Sequence, residues 1–339
     1  FDTAALSAWL EKNLPGFAGP LTVESFKGGQ SNPTYKLNTP SQSYVMRAKP
    51  GPVAKLLPSA HAIEREFAVM TGLQGTDVPV PRMHCLCEDE SVIGRAFYVM
   101  EFMQGRILWD QTLPGMSNAE RGAIYNEMNR VIAALHTVKF ADRGLAGYGK
   151  PGNYFERQIG RWSKQYVASI TQPIEEMDKL MAWLPQHIPA MARADNMVSI
   201  VHGDYRLDNV MFHPTEPRVI AVLDWELSTL GHPLADVAFN CIAYHTLPSE
   251  YGGIRDLDLA ALGIPSEAEY LSHYYRQSGR SDGVTAFHFA FALFRLAVIF
   301  EGIAVRAASG NAAGDNAAEV GDLSVAFARR GIEFIEGAA

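Results

Sequence analysis

The chain has 339 residues, of which 47% are hydrophobic and 19% are charged, and its formal net charge is −8. This composition is typical of a globular protein with a sizeable buried core and excludes a disordered chain. The acidic balance argues against nucleic acid or an anionic membrane as the main partner.

The first residues, Phe1-Asp2-Thr3, lack the basic and apolar regions of a secretion signal. The most apolar stretch, 285–309, is interrupted by Arg295 and Glu301 and therefore predicts a core helix rather than a membrane span. We expect a cytoplasmic protein without a membrane segment.

The first hundred residues predict a mostly antiparallel sheet with one inserted helix. A short helix is expected at 2–14, and a longer one from Pro58 to about Leu73. Alternation of apolar and polar residues indicates strands over 21–26, 34–37, 43–48, 80–87 and 96–102.

After Gln104 the pattern becomes helical, with a polar loop and a small hairpin expected between Ser199 and Glu226. We therefore predict an α+β fold, with a β-rich N-lobe at 1–102 and a larger helical C-lobe at 103–339. The helices are predicted at 118–138, 153–169, 174–187, 233–246, 266–278, 284–309 and 317–336.

The most informative stretch reads Val-His-Gly-Asp-Tyr-Arg-Leu-Asp-Asn-Val-Met-Phe at 201–212. A second acidic element, Leu-Asp-Trp, follows at 223–225. A carboxylate followed by an amide and a second carboxylate is the order of groups in a phosphoryl-transfer site. We expect Asp204 to take the proton of an accepting hydroxyl, and Asn209 and Asp224 to bind Mg²⁺.

Neighbouring residues are expected to shape this loop. Gly203 allows a turn that a bulkier residue would resist. His202 is interpreted as an orienting residue. Asp236 either binds the loop's backbone N–H groups or is an ordinary first-turn aspartate favoured by the helix dipole. For Asp208 two interpretations stay open, an exposed surface residue or a substrate contact.

Phosphate-binding groups are expected in the N-lobe. A loop between two strands reads Gly28-Gly29-Gln30-Ser31-Asn32; its N–H groups and side chains suit phosphate, and a plain hairpin turn is the alternative. Arg47 on the third strand is expected to neutralise nucleotide phosphates and to pair with Glu66. Lys49 and Glu64 are the alternative cation and carboxylate.

The segment 100–105 connects the two predicted lobes. From its position, we expect the backbone at Glu101 and Met103 to contact the adenine of ATP.

With residues 202–209, 224–225 and 231–233, the chain resembles the aminoglycoside phosphotransferase family over roughly 20–305. Residues 44–47, 56–61, 63–66 and 222–231 resemble, more narrowly, a branch found alone in bacteria and fused to acyl-CoA dehydrogenase domains in some animal proteins. The resemblance implies a protein kinase-like fold and phosphorylation of a small-molecule hydroxyl with ATP and Mg²⁺.

The resemblance leaves the acceptor open. An aminoglycoside needs an acidic cleft, yet 240–339 carries only five more acidic than basic side chains. The branch with dehydrogenase fusions suggests a hydroxy acid or hydroxyacyl thioester, whose anion Arg206 would bind beside Asp204. An aminoglycoside kinase is one alternative, and a nucleotide-binding pseudokinase that regulates a partner is another.

Overall fold

The computed structural model describes residues 1–26, 32–50, 62–193, 197–308 and 317–337. The chain divides into two compact units. The first comprises Phe1–Arg106, Phe140–Tyr148 and Met211–Ser228, and the second comprises Ile107–Lys139, Gly149–Val210 and Thr229–Ala339. The assignment of nucleotide binding to 1–102 and of catalysis to 103–339 stays a prediction.

The first unit contains a five-stranded antiparallel sheet in the order β1-β2-β3-β5-β4, which confirms the predicted sheet. β4 begins at Met83 rather than at residue 80, because Pro79 and Pro81 cannot donate to a strand ladder. The strands are β1 (Thr22–Ser25), β2 (Thr34–Asn38), β3 (Ser43–Ala48), β4 (Met83–Cys87) and β5 (Phe97–Glu101).

Two helices accompany this sheet. α1 (Thr3–Asn13) begins where the Asp2 side chain accepts from two backbone N–H groups, and its buried leucines join the core of the sheet. α2 (Ile63–Leu73) buries side chains spaced three or four residues apart, and one of them is Glu66. The predicted start of α2 at Pro58 lies outside the described residues.

Three short strands form a second sheet in the order β6-β8-β9: β6 (Arg106–Ile107), β8 (Val210–Phe212) and β9 (Val219–Val222). β8 and β9 are the predicted hairpin. The return strand, β9, ends two residues before Asp224, so the hairpin determines where Asp224 lies at the edge of this sheet.

The second unit is mainly helical, as predicted. Two predicted helices end early as α-helices and continue as 3₁₀ turns, at Leu184–Gln186 and Cys241–His245; Pro185 explains the first. The four-residue α7 was not predicted. The helices are α3 (Asn118–Thr137), α4 (Tyr154–Ala168), α5 (Glu175–Trp183), α6 (Pro233–Asn240), α7 (Leu259–Leu262), α8 (Glu267–Ser278), α9 (Ala286–Ala308) and α10 (Ala317–Glu336).

α9 is the central helix of this unit and packs against α10, α6 and α4. Its segment Ala286–Val305 is long and apolar enough to cross a bilayer, but 78% of that stretch is buried within the protein. The predicted core helix is therefore confirmed.

A two-stranded antiparallel pair joins β7 (Ser199–Val201) to β10 (Thr229–Gly231). Strands of three residues carry too little alternation to be found from the sequence, and they were missed. The pair matters because β7 leads directly into His202, while β10 leads into the helix that carries Asp236.

Candidate active site

The backbone of the loop after β7 is fixed by a buried carboxylate. Asp236 accepts hydrogen bonds from the N–H groups of His202, at 2.6 Å, and Gly203, at 2.8 Å. Gly203 has φ 86°, a conformation that favours glycine. The predicted roles of Asp236 and Gly203 are confirmed.

The carbonyl of Gly203 is held by Arg295 of α9, which donates a hydrogen bond to it. The Arg295 guanidinium lies 5.4 Å from the ring centroid of Trp162 and 4.8 Å from that of Phe239. Both polar groups of Gly203 therefore have partners in the core, and the loop is anchored on two sides.

Asp236 belongs to a buried network. His136 Nε2 lies 3.2 Å from its Oδ2, and His136 Nδ1 lies 2.7 Å from the hydroxyl of Tyr274. Burial alone would raise the pKa of Asp236, but bonds from His136 and from the His202 backbone outweigh it and lower that pKa. Burial lowers the pKa of His136. We infer that a neutral His136 donates to an ionised Asp236.

Asp204 contacts three residues of its own loop, two through its side chain and one through its backbone N–H. Asn209 Nδ2 donates to Asp204 Oδ2 and to its carbonyl, both at 2.8 Å, and Arg206 Nε lies 3.0 Å from Oδ1. The Asp204 N–H donates to His202 Nδ1 at 3.1 Å, which gives His202 the predicted orienting role. The carboxylate is oriented yet remains 22% exposed, so an acceptor can reach it.

Arg206 is engaged on several sides. Besides Asp204, its Nη2 lies 3.2 Å from Asp208 Oδ2, and its Nη1 donates to the hydroxyl of Tyr251. Burial would lower the pKa of Arg206, but Asp204, Tyr251 and Asp208 raise it. Asp208 is only 16% exposed, so its interpretation as an exposed side chain was wrong. These contacts suit a residue that orients Asp204 more than an open anion site.

In the first unit, the expected Arg47–Glu66 pair is present, with Arg47 Nε 3.0 Å from Glu66 Oε2. Glu66 also accepts from Asn32 Nδ2 at 2.8 Å and from the Tyr98 hydroxyl at 3.1 Å. Asn32, predicted to bind phosphate, is thus bonded to Glu66. The remaining predicted loop residues, Gly28 to Ser31, lie outside the described residues.

Burial and the attraction between the two charges oppose each other in this pair. Burial raises the pKa of Glu66, against the opposing effect of Arg47. It would lower the pKa of Arg47, but Glu66 and further acidic neighbours outweigh it and raise that pKa. Arg47 therefore stays a cation at every physiological pH.

Arg47 also reaches the turn that carries Asp224. Its Nη2 lies 2.9 Å from Asp224 Oδ1 and 3.7 Å from Glu226 Oε2. The alternative cation, Lys49, pairs with Glu64 instead, which makes a separate bridge from the residue after β3 to α2. The two candidate pairs of the sequence thus coexist, and Arg47 is the cation that joins Glu66 to Asp224.

Asp224 adopts a left-handed conformation, with φ 60°. This is unusual for a residue other than glycine, and such strain concentrates at functional sites. The next residue anchors the turn, because Trp225 is buried and its ring N–H donates to the carbonyl of Val222 at 3.0 Å.

The donor chemistry of the predicted metal ligands suits Mg²⁺. Asp224 offers a carboxylate that is 36% exposed, and Asn209 uses its amide nitrogen towards Asp204, which leaves its oxygen out of those bonds. Hard oxygen donors of this kind are what Mg²⁺ prefers. Among the described residues, no cluster of three or more His, Cys, Asp or Glu side chains suggests a different metal centre.

The segment predicted to contact adenine begins at the end of β5. The Glu101 N–H donates to the carbonyl of Arg82 at 2.8 Å, and its side chain accepts from the Arg82 N–H at 3.3 Å. Met103 is half-buried. Adenine binding at Glu101 and Met103 stays a prediction.

Sequence reasoning missed four residues that hold the predicted ones: Tyr98, His136, Tyr251 and Arg295. For Tyr98 a signal existed, because pairing β3 with β5 places it opposite Arg47. Arg295 was noticed only as a break in an apolar helix, where a buried arginine usually has a partner. His136 and Tyr251 gave no local pattern.

An Arg–Glu pair that links an antiparallel sheet to a helix, a strained aspartate turn and an Asp-x-x-x-x-Asn loop together define a kinase-like phosphotransferase. The comparisons with known proteins agree with this class. The chain belongs to the APH phosphotransferase enzyme family, whose family model matches residues 22–275.

Several relatives are close. The chain is 44% identical, over 96% of its length, to acyl-CoA dehydrogenase family member 10 of Mus musculus, but covers 31% of that protein. It spans less than half, between 31% and 43%, of the length of the curated relatives that it matches. An aminoglycoside phosphotransferase-like protein from Ralstonia eutropha JMP134 is 58% identical, with a TM-score of 0.91 and 99% of both chains covered.

A more distant structure shows the fold alone. Aminoglycoside phosphotransferase APH(4)-Ia, solved as a thermostable mutant in a ternary complex with ADP and hygromycin B, is 17% identical with a TM-score of 0.59. The alignment covers 96% of this chain and 97% of that one. The predicted α+β, protein kinase-like fold is confirmed.

Proposed function

We propose that this chain transfers the terminal phosphoryl group of ATP, with Mg²⁺, to a hydroxyl group of a small molecule. The observation that carries the proposal is the geometry of Asp204, which is oriented by Asn209 and Arg206 and is still reachable from solvent. A carboxylate held in this way can orient a hydroxyl and accept its proton.

In the proposed reaction, the acceptor oxygen bonds to the terminal phosphorus, the bond to the bridging oxygen breaks, and the hydroxyl proton passes to Asp204. Asn209 and Asp224 would hold Mg²⁺, which supplies charge neutralisation for the phosphates. Arg47 would add positive charge to the same phosphates, and Glu66 would keep it in place.

For the acceptor we propose a hydroxy acid or a hydroxyacyl thioester. The support is the sequence identity between this chain and part of two proteins named acyl-CoA dehydrogenase family members. Because Arg206 already pairs with Asp204 and Asp208, we no longer expect it to bind the carboxylate or thioester end of the acceptor. Hygromycin B in the fold relative keeps an aminoglycoside as the alternative acceptor.

The test is a transfer assay with ATP or GTP, with and without Mg²⁺, on matched panels of hydroxy acids, their thioesters and aminoglycosides. The wild type should phosphorylate members of the first two panels. Asp204→Asn should lower kcat by about 10³-fold or more while ATP binding, measured by calorimetry, is retained. Asp256→Asn, an exposed aspartate of the same unit, is the matched control.

The outcomes separate three functions. Turnover of aminoglycosides alone would replace the proposed acceptor. Normal nucleotide binding without transfer to any panel member would favour the pseudokinase alternative. Equal rates for the wild type and Asp204→Asn would exclude Asp204 as the base.

A further inference from the structure

Tyr251 is an unusual surface residue. It has φ 64°, so its backbone is left-handed, and its side chain is 47% exposed although it is aromatic. A bulky residue in this region is an outlier that the surroundings must enforce, and such outliers concentrate at functional sites.

The loop around Tyr251 is built to hold that conformation. Arg330 of α10 binds both carboxylate oxygens of Glu250, at 3.0 and 2.9 Å, and Glu250 also accepts from the N–H of Leu247 at 3.0 Å. Gly253 approaches the carbonyl of Thr246 so closely that a Cβ would lie 1.9 Å from that oxygen. The loop therefore cannot relax easily, and its conformation is a property of the fold.

The Tyr251 ring is seated against buried aromatic side chains. Its centroid lies 4.8 Å from that of Phe300 and 6.4 Å from that of Phe327. In this position the hydroxyl accepts a hydrogen bond from Arg206 Nη1. The guanidinium carbon of Arg206 lies 5.1 Å from the centroid of the Tyr251 ring. Tyr251 thus contacts Arg206 through both its polar end and its π face.

The contact leads to the expected base. Arg206 Nε lies 3.0 Å from Asp204 Oδ1, whereas Nη1 is bonded to Tyr251. A guanidinium is planar, so fixing one end fixes the direction of the other. We propose that Tyr251 is a positioning residue that keeps Arg206, and through it Asp204, in the orientation for phosphoryl transfer. This inference rests on the proposed function.

The test compares Tyr251→Phe, which removes the hydroxyl and keeps the ring, with the control Tyr244→Phe. Tyr244 donates to the carbonyl of Pro265 in the same unit. With any acceptor that the wild type uses, or with water as acceptor, Tyr251→Phe should lower kcat roughly tenfold, because it loses a bond to a charged group. The KM for ATP and the Tm should stay at the wild-type values, as should all three quantities in Tyr244→Phe.

A double-mutant cycle asks whether Tyr251 acts through Arg206. In an Arg206→Gln background, Tyr251→Phe should have no further effect on kcat. Unchanged kcat in the single variant, or an equal loss in both backgrounds, would overturn the inference.

A second measurement does not need turnover. The Arg206 Nε–H signal in a ¹⁵N NMR spectrum, assigned by its loss in Arg206→Gln, should exchange with solvent faster in Tyr251→Phe than in the wild type or in Tyr244→Phe. Equal exchange rates would reject the positioning role. Faster exchange in a protein that transfers phosphate to no acceptor would reject the proposed function and leave the contact itself established.

Discussion

Arg47 and Asp224 are 177 positions apart in the sequence, yet Arg47 Nη2 lies 2.9 Å from Asp224 Oδ1. Through its Nε the same guanidinium lies 3.0 Å from Glu66. One side chain therefore joins a strand, a helix and the turn after the hairpin. Any Mg²⁺ that binds Asp224 must share or replace the Arg47 contact.

Replacing Arg47 should damage both folding and nucleotide use. Arg47→Gln leaves Glu66 buried without its cation, which costs about 3–5 kcal/mol. Arg47→Lys keeps the charge, but one ammonium group cannot contact Glu66 and Asp224 at the same time as the guanidinium does. The KM for ATP should therefore rise severalfold. Urea unfolding and steady-state kinetics measure the two effects.

The matched control is Lys49→Gln, one residue beyond the end of the same strand. The Lys49–Glu64 pair is about a third exposed on both sides. Its loss should cost less than about 1 kcal/mol and leave the KM for ATP unchanged. Equal damage from both substitutions would contradict a special role for Arg47.

Glu226 should influence how tightly Mg²⁺ binds. Its carboxylate lies 3.7 Å from Arg47 and shares that cation with Asp224. In Glu226→Gln, Arg47 would be drawn more strongly to Asp224, and Mg²⁺ would compete less well. The Mg²⁺ concentration for half-maximal rate should rise severalfold at saturating ATP; an unchanged or lower requirement would refute this coupling.

Gly203→Ala tests the left-handed turn before the base. An alanine at φ 86° costs roughly 1–2 kcal/mol, and relief of that strain would shift Asp204. We expect a loss of kcat of about tenfold or more with normal ATP binding. Gly160→Ala is the control, because Gly160 lies within α4 and an added Cβ would meet no atom within 4 Å.

Two buried histidines should make stability fall in mild acid. Burial lowers the pKa of His232 to about 4 and that of His288 to about 3. Their unfolded pKa is about 6.5, so below that pH the unfolded chain binds protons that the folded chain does not. Stability is thus complete above pH 6.5 and falls towards pH 4, by about 2 kcal/mol per histidine at pH 5.

Urea unfolding at pH 7 and pH 5 checks this loss. His288→Asn should reduce this loss by about 2 kcal/mol, because it removes one proton-binding group of the unfolded chain. The amide oxygen can accept the bonds that Nδ1 receives from Thr285. His187→Asn, at an exposed histidine, should leave the loss unchanged. A wild type equally stable at both pH values would contradict the prediction.

Much of the fold followed from the sequence. Sequence patterns located the long helices and the sheet strands, since α9 has 23 residues and β3 has six, enough for an apolar stretch to stand out. The loop at 202–209 was identified because its acidic and amide groups are close in sequence. Local sequence patterns can therefore predict secondary structure and groups that lie close together in the chain.

The partners of those groups could not be found in this way. Asp236 was predicted to bind the loop because it follows soon after, at the start of a helix. Arg295 and Tyr251 reach the loop from distant segments, and only packing brings them there. The left-handed backbone at Asp224 was equally hidden, because no residue type there requires it.

The first unit has a consequence for dissecting the protein, because it is assembled from three separate stretches of the chain. A fragment that ends at residue 102 would lack Asp224, and with it one of the partners of Arg47. It would also lack Tyr148, whose ring lies 4.4 Å from the guanidinium carbon of Arg65 on α2. Truncation therefore cannot isolate this unit, whereas a chain in which two short linkers replace 107–139 and 149–210 could.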